Sequence, residues 1–270
     1  MTKRAGPARP PPSRFCYLRR RGGAARIRAM GQNNGTGLRL AVFDCDGTLV
    51  DSQHVIVACM NEAFAGEGLT APTMAAVRRI IGLPLEECML RLAPDEAAAR
   101  HLRLIEAYKE AFFVMRQRPD HYEPLFEGAV AALEAIEADG WLLGVATGKS
   151  LRGLNAVLER HDLHRRFITL QCGDMGPGKP DPAMLERAMA ETGTARDDTV
   201  MIGDTTYDMA MAHNAGVHAI GVDWGYHPTD ELLGAGAQAI VSSFAELPAA
   251  VAACADRPPR SPQAPRRTGT

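Results

Sequence analysis

The sequence predicts an α/β fold: a parallel, doubly wound sheet interrupted after its first strand by an all-helical insert. Three observations predict it. Short apolar runs of strand length recur along the chain, each ending in a turn signal. From residue 141 onward they alternate with stretches whose apolar residues recur at helical spacing, the pattern of strands joined by helical crossovers. Between residues 53 and 122, by contrast, only helical patterns occur.

The elements follow in order. Leu38, Arg39, Leu40, Ala41, Val42 and Phe43 form the first strand, and Gly47 supplies a sharp turn beyond it. Residues 50–64 have helical spacing, with Val55, Ala58, Cys59 and Phe64 facing inward. Thr73 precedes a helix over 74–81 that Gly82 stops. Pro84 opens another through Leu92, and Pro94, Asp95 and Glu96 mark the start of a longer helix reaching Met115. Residues 128–139 are helical, ended by Gly140. A strand over 141–146, a helix over 151–161, a short strand over 167–170 and a helix over 182–191 come next. The strand at 199–202, a helix over 207–215 and strands at 218–222 and 239–241 complete the series. The resulting division is a core of 38–52 with 123–254, a helical insert of 53–122, and tails at 1–37 and 255–270.

Composition narrows the function classes. At 270 residues, with 46% hydrophobic and 23% charged residues, the chain has the make-up of a soluble protein with a sizeable core. No apolar run approaches the ~20 residues needed to span a bilayer, so no membrane partner is expected. Charge is uneven. The first thirty residues hold nine Lys or Arg and no acid; with −2 overall, the remainder carries −11. An acidic body argues against a nucleic acid partner. The basic segment, with Pro10, Pro11 and Pro12, buries too little apolar surface to fold and lacks the apolar stretch of a secretory signal. It reads as a disordered tail, with Met30 as an alternative start, and the proline-rich C-terminal tail reads the same way. Six cysteines without paired spacing fit a reduced, cytoplasmic setting. Cys45 reads as a small apolar filler rather than a reactive thiol, and Met60, Met89, Met184, Met189, Met209 and Met211 as core filler.

Asp44 and Asp46 stand one residue apart where the first strand ends. In an open α/β sheet, ligands bind beyond the carboxyl ends of the strands. Neighbouring like charges raise each other's pKa, a cost that a divalent cation with its taste for oxygen ligands removes. The alternative is an Asp-Gly turn with a solvated carboxylate. Three further elements occupy equivalent places: Thr147 after the second strand, Lys179 within Gly178-Lys179-Pro180-Asp181-Pro182, and Asp204 with Asp208 after the strand ending at Ile202. Each alone has a plain explanation: Thr147 as a helix cap, Lys179 as a solvated loop residue, Asp208 as an acid favoured in a first helical turn. Together, in order and at strand ends, they point to one site.

In these residues the chain resembles the haloacid dehalogenase-like superfamily, specifically the phosphoglycolate phosphatase-like branch with a small helical cap. The motifs are Asp44-Cys45-Asp46-Gly47-Thr48, Thr147, Lys179 and Gly203-Asp204-Thr205-Thr206-Tyr207-Asp208, and the resemblance spans about residues 38–250. It implies a Rossmann-like parallel sheet core with an inserted all-helical cap domain, Mg²⁺ and an aspartyl-phosphate intermediate. Asp44 would be the nucleophile. Asp46 would protonate the leaving alkoxide and then deprotonate the attacking water. Asp44, Asp204 and the backbone carbonyl of Asp46 would hold Mg²⁺. Lys179, Thr147 and the backbone near Gly148 would bind the transferring oxygens, and Asp208 would orient Lys179 or a metal-bound water.

The insert would act as a lid. Arg78, Arg79 and Gly82 lie where relatives place a substrate-facing loop, the alternative being two arginines on a solvated helix face. His54, just past Asp51-Ser52, is a candidate for substrate contact or an ordinary packed or solvated histidine. Trp224-Gly225-Tyr226-His227 either lines the pocket or anchors a loop. The expected activity is Mg²⁺-dependent hydrolysis of a small phosphorylated metabolite, with phosphoglycolate foremost. A β-phosphoglucomutase-like phosphosugar mutase shares the core motifs. A haloacid dehalogenase needs no general acid two residues after its nucleophile, so Asp46 counts against it. A phospho-receiver module is a single compact unit without such an insert. Oligomeric state is not legible.

Overall fold

The computed structural model describes residues 37–255. The expected tails and Met30 lie outside the described residues, apart from residue 37 and from residue 255, which ends a helix. Six strands form one sheet: β1 (Arg39–Phe43), β2 (Trp141–Thr147), β3 (Phe167–Cys172), β4 (Thr199–Gly203), β5 (His218–Val222) and β6 (Ala239–Val241). Their order is β3-β2-β1-β4-β5-β6, with every neighbouring pair parallel. Strands covered on both faces read as continuous apolar runs, and β1, β2, β4 and β5 are buried almost throughout. The chain steps outward from β1 through β2 to β3, then returns to β4 on the other side of β1. That reversal places the ligand-binding crevice of an open α/β sheet at the carboxyl ends of β1 and β4.

Between β1 and β2 the chain leaves the sheet to form α1 (Gln53–Gly66), α2 (Met74–Arg78), α3 (Leu85–Leu92) and α4 (Ala98–Gln117). α4 packs along α1 and α3. These helices share a hydrophobic cluster of their own, built around Cys59, Met60, Phe64, Val77, Met89 and Leu104. The linkers to and from this cap run side by side. Val50 and Leu125 form an antiparallel bridge, the Asp51 N–H donates to Pro124 O at 2.9 Å, and the Phe126 N–H donates to Leu49 O at 3.1 Å.

Helices cover both faces of the sheet. α5 (Ala129–Ala138), α6 (Leu151–Arg160) and α10 (Leu247–Ala255) pack Leu133, Ile136, Leu154 and Val251 against Ala41, Phe43, Val145 and Ile202. α7 (Ala183–Thr192) and α8 (Thr206–Ala215) cover the opposite face, with Met184, Leu185 and Met209 buried. α9 (Thr229–Ala235) lies beside β5 and α8. The architecture is a Rossmann-like α/β sheet with an inserted helical cap.

Several boundaries differ from the sequence reading. α1 begins at Gln53 rather than residue 50, because the Val50 N–H and C=O are already engaged by Cys45 O and Gly47 N. Ala58 is exposed, while Ile56 and Met60 turn inward. α2 stops at Arg78; beyond it Ile80 N–H bonds to Val77 O in a tighter turn, and Gly82 has φ +98°. Pro94, Asp95 and Glu96 form a turn ahead of α4, whose first residue is Ala98. α9 and α10 add to the elements expected from the sequence.

Candidate active site

The site assembles at the carboxyl ends of β1, β2 and β4. Asp44 follows β1, and its N–H donates to Ile202 O of β4 at 2.9 Å, which pins the two strand ends together. Asp204 follows β4, and Asp208 lies in the first turn of α8. Asp44, Asp204 and Asp208 are buried and each offers a carboxylate oxygen within 4.8 Å of the others. Lys179 Nζ, also buried, stands 2.8 Å from Asp44 Oδ1 and 2.6 Å from Asp208 Oδ1. These are ion pairs by distance; their angles do not make aligned hydrogen bonds.

The acids are individually fixed. Asp208 and Thr205 form a capping box at the start of α8. The Thr205 N–H and hydroxyl donate to Asp208 Oδ2 at 3.0 and 2.6 Å. Asp204 accepts the Thr48 hydroxyl on Oδ1 at 2.7 Å and the Tyr226 N–H on Oδ2 at 3.0 Å. Gly47 makes room for this: its φ is +87°, and a Cβ there would strike Asp204 Oδ2 and the Tyr226 ring.

Burial pushes the Asp44 carboxyl up to about 7, against the pull of Lys179 and with a further push from Asp208. Asp204 is raised well above the usual carboxylate range, by burial first and then by Asp44 and Asp208. Burial works against the charge on Lys179, but Asp208 and Asp44 outweigh it and raise the ammonium's pKa. Three crowded carboxyl groups share one ammonium, so ionising all three without a further cation is costly, and Asp44 Oδ2 is buried without a hydrogen-bond partner among the described residues. An all-oxygen, anionic donor set of this kind suits a hard divalent cation.

Asp46 lies on the side of the site nearer the cap. Its Oδ1 accepts the Ser52 hydroxyl at 2.6 Å and faces Lys149 Nζ at 2.9 Å. Thr147 is buried at the end of β2, and its Oγ1 accepts the Lys149 N–H at 3.2 Å, so its own proton is left for another acceptor. Gly148 lies directly under the cap. A Cβ there would meet Gly82 O at 3.0 Å and Leu83 O at 3.1 Å.

Arg79 pairs with Glu231 at 2.7 Å with its side chain about half exposed, so it points across the surface toward α9. Arg78 instead donates to Gly225 O at 3.1 Å and lies over the Tyr226 ring. His54 is exposed in the first turn of α1. The 224–227 segment backs that cluster: besides the Tyr226 N–H, Trp224 Nε1 donates to Thr48 O at 3.2 Å. Sequence reasoning gave no role to Thr48, Ser52, Lys149 or Glu123. Lys149 did carry a signal, a cation directly after Thr147-Gly148 at a strand end; Glu123, in a linker, carried none. No helix among the described residues is long and apolar enough to cross a membrane.

Comparison with known proteins agrees with this geometry. The family model of haloacid dehalogenase-like hydrolases matches residues 41–222, the span that holds Asp44, Thr147, Lys179 and Asp208. The chain is 35% identical over 209 residues to "Probable phosphatase IndB" of Dickeya dadantii (strain 3937), covering 77% of this chain and 91% of that one. It is 33% identical over 218 residues to a phosphoglycolate phosphatase of Rhodospirillum rubrum, covering 77% and 89%. A solved hydrolase from Pseudomonas syringae superposes with a TM-score of 0.71 at 26% identity, covering 80% of this chain and 98% of that one. Strand-end acids, buried lysine and family match converge: the chain belongs to the haloacid dehalogenase-like hydrolases, on their phosphatase branch.

Proposed function

We propose that the protein is a Mg²⁺-dependent phosphatase that hydrolyses a small phosphate monoester through a phosphorylated Asp44. The observation that carries the reading is Lys179, buried between Asp44 and Asp208 beside Asp204, with a second carboxylate two residues after the first. The Asp44 carboxylate attacks phosphorus, splitting one difficult displacement into two easier ones. Lys179, the Thr147 hydroxyl and the backbone at Gly148 bind the transferring oxygens, a task that is mostly positioning and charge neutralisation. Asp46 gives its proton to the departing alkoxide and then takes one from the water that attacks phospho-Asp44. Asp208 holds Lys179. Asp44, Asp204 and the backbone carbonyl of Asp46 would hold Mg²⁺, which when bound offsets charge on the phosphoryl group.

The division into a core of 38–52 with 123–254 and a cap of 53–122 gives the cap the role of lid over this site, excluding water and selecting substrate. Phosphoglycolate is the leading substrate, supported by the name of the Rhodospirillum relative. The buried thiols support a reduced, cytoplasmic setting. A phosphate-release screen over small phosphorylated metabolites with Mg²⁺ tests the reading, with sugar phosphates assayed for isomerisation in parallel. Release from one or more monoesters without isomerisation is expected. Isomerisation in place of release would make the protein a mutase, and inertness toward every ester would end the proposal.

A further inference from the structure

A carboxylate that delivers a proton must be held within hydrogen-bond reach of the leaving oxygen, so what holds it matters. Asp46 Oδ1 has two partners, Ser52 Oγ at 2.6 Å and Lys149 Nζ at 2.9 Å. Ser52 sits on the linker that leaves the core, immediately before α1. Lys149 reaches Asp46 on a flexible four-carbon stem, and such a stem positions nothing unless its ammonium is itself restrained. Glu123 restrains it. Its Oε1 stands 3.3 Å from Lys149 Nζ, with the two side chains only 2% and 7% exposed. Burying a carboxylate is costly unless it is fully engaged, and Glu123 is. Its Oε2 accepts from His121 Nε2 at 2.9 Å, and its backbone carbonyl accepts from His161 Nε2 at 2.8 Å. From the cap side, the Phe112 ring of α4 closes over Lys149 Nζ at 4.9 Å. Burial works against the charge on Lys149, yet Asp46 and Glu123 together keep it an ammonium. Glu123 lies on the return linker, which runs beside the outgoing one. Both connections between core and cap therefore bear on one oxygen of Asp46, the outgoing one directly through Ser52 and the return one through Lys149.

We infer that Glu123 is a positioning residue for the phosphatase reaction, fixing the Asp46 carboxylate through Lys149 for proton delivery. The inference rests on the phosphatase reading above. In the step concerned, Asp44 bonds to phosphorus while the ester P–O bond breaks, and the Asp46 proton passes to the departing oxygen, which leaves as the alcohol.

The test exploits the leaving group. kcat/KM spans substrate binding through departure of the alcohol, so it isolates this step from hydrolysis of phospho-Asp44. An alkyl monoester needs the acid; p-nitrophenyl phosphate, whose phenolate leaves readily, needs it little. With Mg²⁺ present, Glu123→Gln is expected to lose about ten-fold more kcat/KM on the alkyl ester than on the aryl ester, in the same direction as Asp46→Asn. Equal losses on both esters mark a merely structural role and overturn the inference, as does no loss on either. If Glu123→Gln does not fold, Lys149→Met carries the same comparison with the same outcomes. Silence of the wild type on both esters overturns the phosphatase reading and this inference with it.

Discussion

Lys179→Met removes the cation that faces both Asp44 and Asp208 and keeps the side chain's length. All three side chains are at most 1% exposed, so solvent cannot replace the lost charge. Breaking a buried ion pair by deleting one partner costs about 3–5 kcal/mol, because the remaining charge is left uncompensated. At a urea m-value of about 2 kcal/mol/M, the unfolding midpoint should fall by roughly 1.5–2.5 M. Urea titration in EDTA reads this directly. Adding Asp208→Asn should recover part of the loss, with a coupling of about 0.5–3 kcal/mol between the two positions. The carboxamide oxygen that this substitution introduces can still accept from Thr205, so the capping box survives. A loss under about 1 kcal/mol for the single variant, or a double variant less stable than the single, would refute the reasoning.

Three other outcomes follow from the same geometry. Gly225→Ala drives a methyl group into the Asp204 side chain, which cannot move without giving up Thr48 and Tyr226; it should cost about 1–3 kcal/mol in denaturant unfolding and most of the phosphate release. Asp44 is raised from its usual 3.8 to about 7 without a cation, so the folded chain keeps a proton that the unfolded chain has lost, and this contribution to stability declines as pH rises toward 7. Added Mg²⁺ competes with that proton, so its upward shift of the melting temperature should be larger at about pH 7.5 than at about pH 5.5; a shift that shrinks over that range contradicts the assignment. Burial pushes the Cys59, Cys88 and Cys172 thiols up to about 12, so peptide mapping after alkylation at neutral pH should find them unlabelled until the protein is unfolded.

The residues most legible in the sequence are those at strand ends. Asp44, Thr147 and Asp204 each follow an apolar run, and a parallel sheet with one reversal in strand order turns that linear pattern into a convergent site. Lys179 came within reach for a different reason: the proline-flanked run around it marks a loop ahead of a helix. Contacts between distant segments were the part that local pattern could not show. Glu123 meets Lys149 only because the return linker lies beside the outgoing one, and nothing in its neighbours announces that. Arg78 and Arg79 were indistinguishable by type. On a helix they diverge by about 100°, and the early end of α2 decided which one faces Tyr226 and which one meets Glu231. Pro228, Asp230 and Glu231 form an ordinary helix start for α9, but the aromatic run just before them has the pattern of a loop.

In the proposed reaction Asp44 carries the phosphoryl group. Acid quench during turnover of a reactive monoester with Mg²⁺, followed by mass analysis of the peptide that contains Asp44, measures this most directly. The wild type should yield that peptide with one phosphoryl group attached, and Asp44→Asn should yield neither the adduct nor free phosphate. Undiminished phosphate release by Asp44→Asn, or an adduct located on another residue, would contradict it.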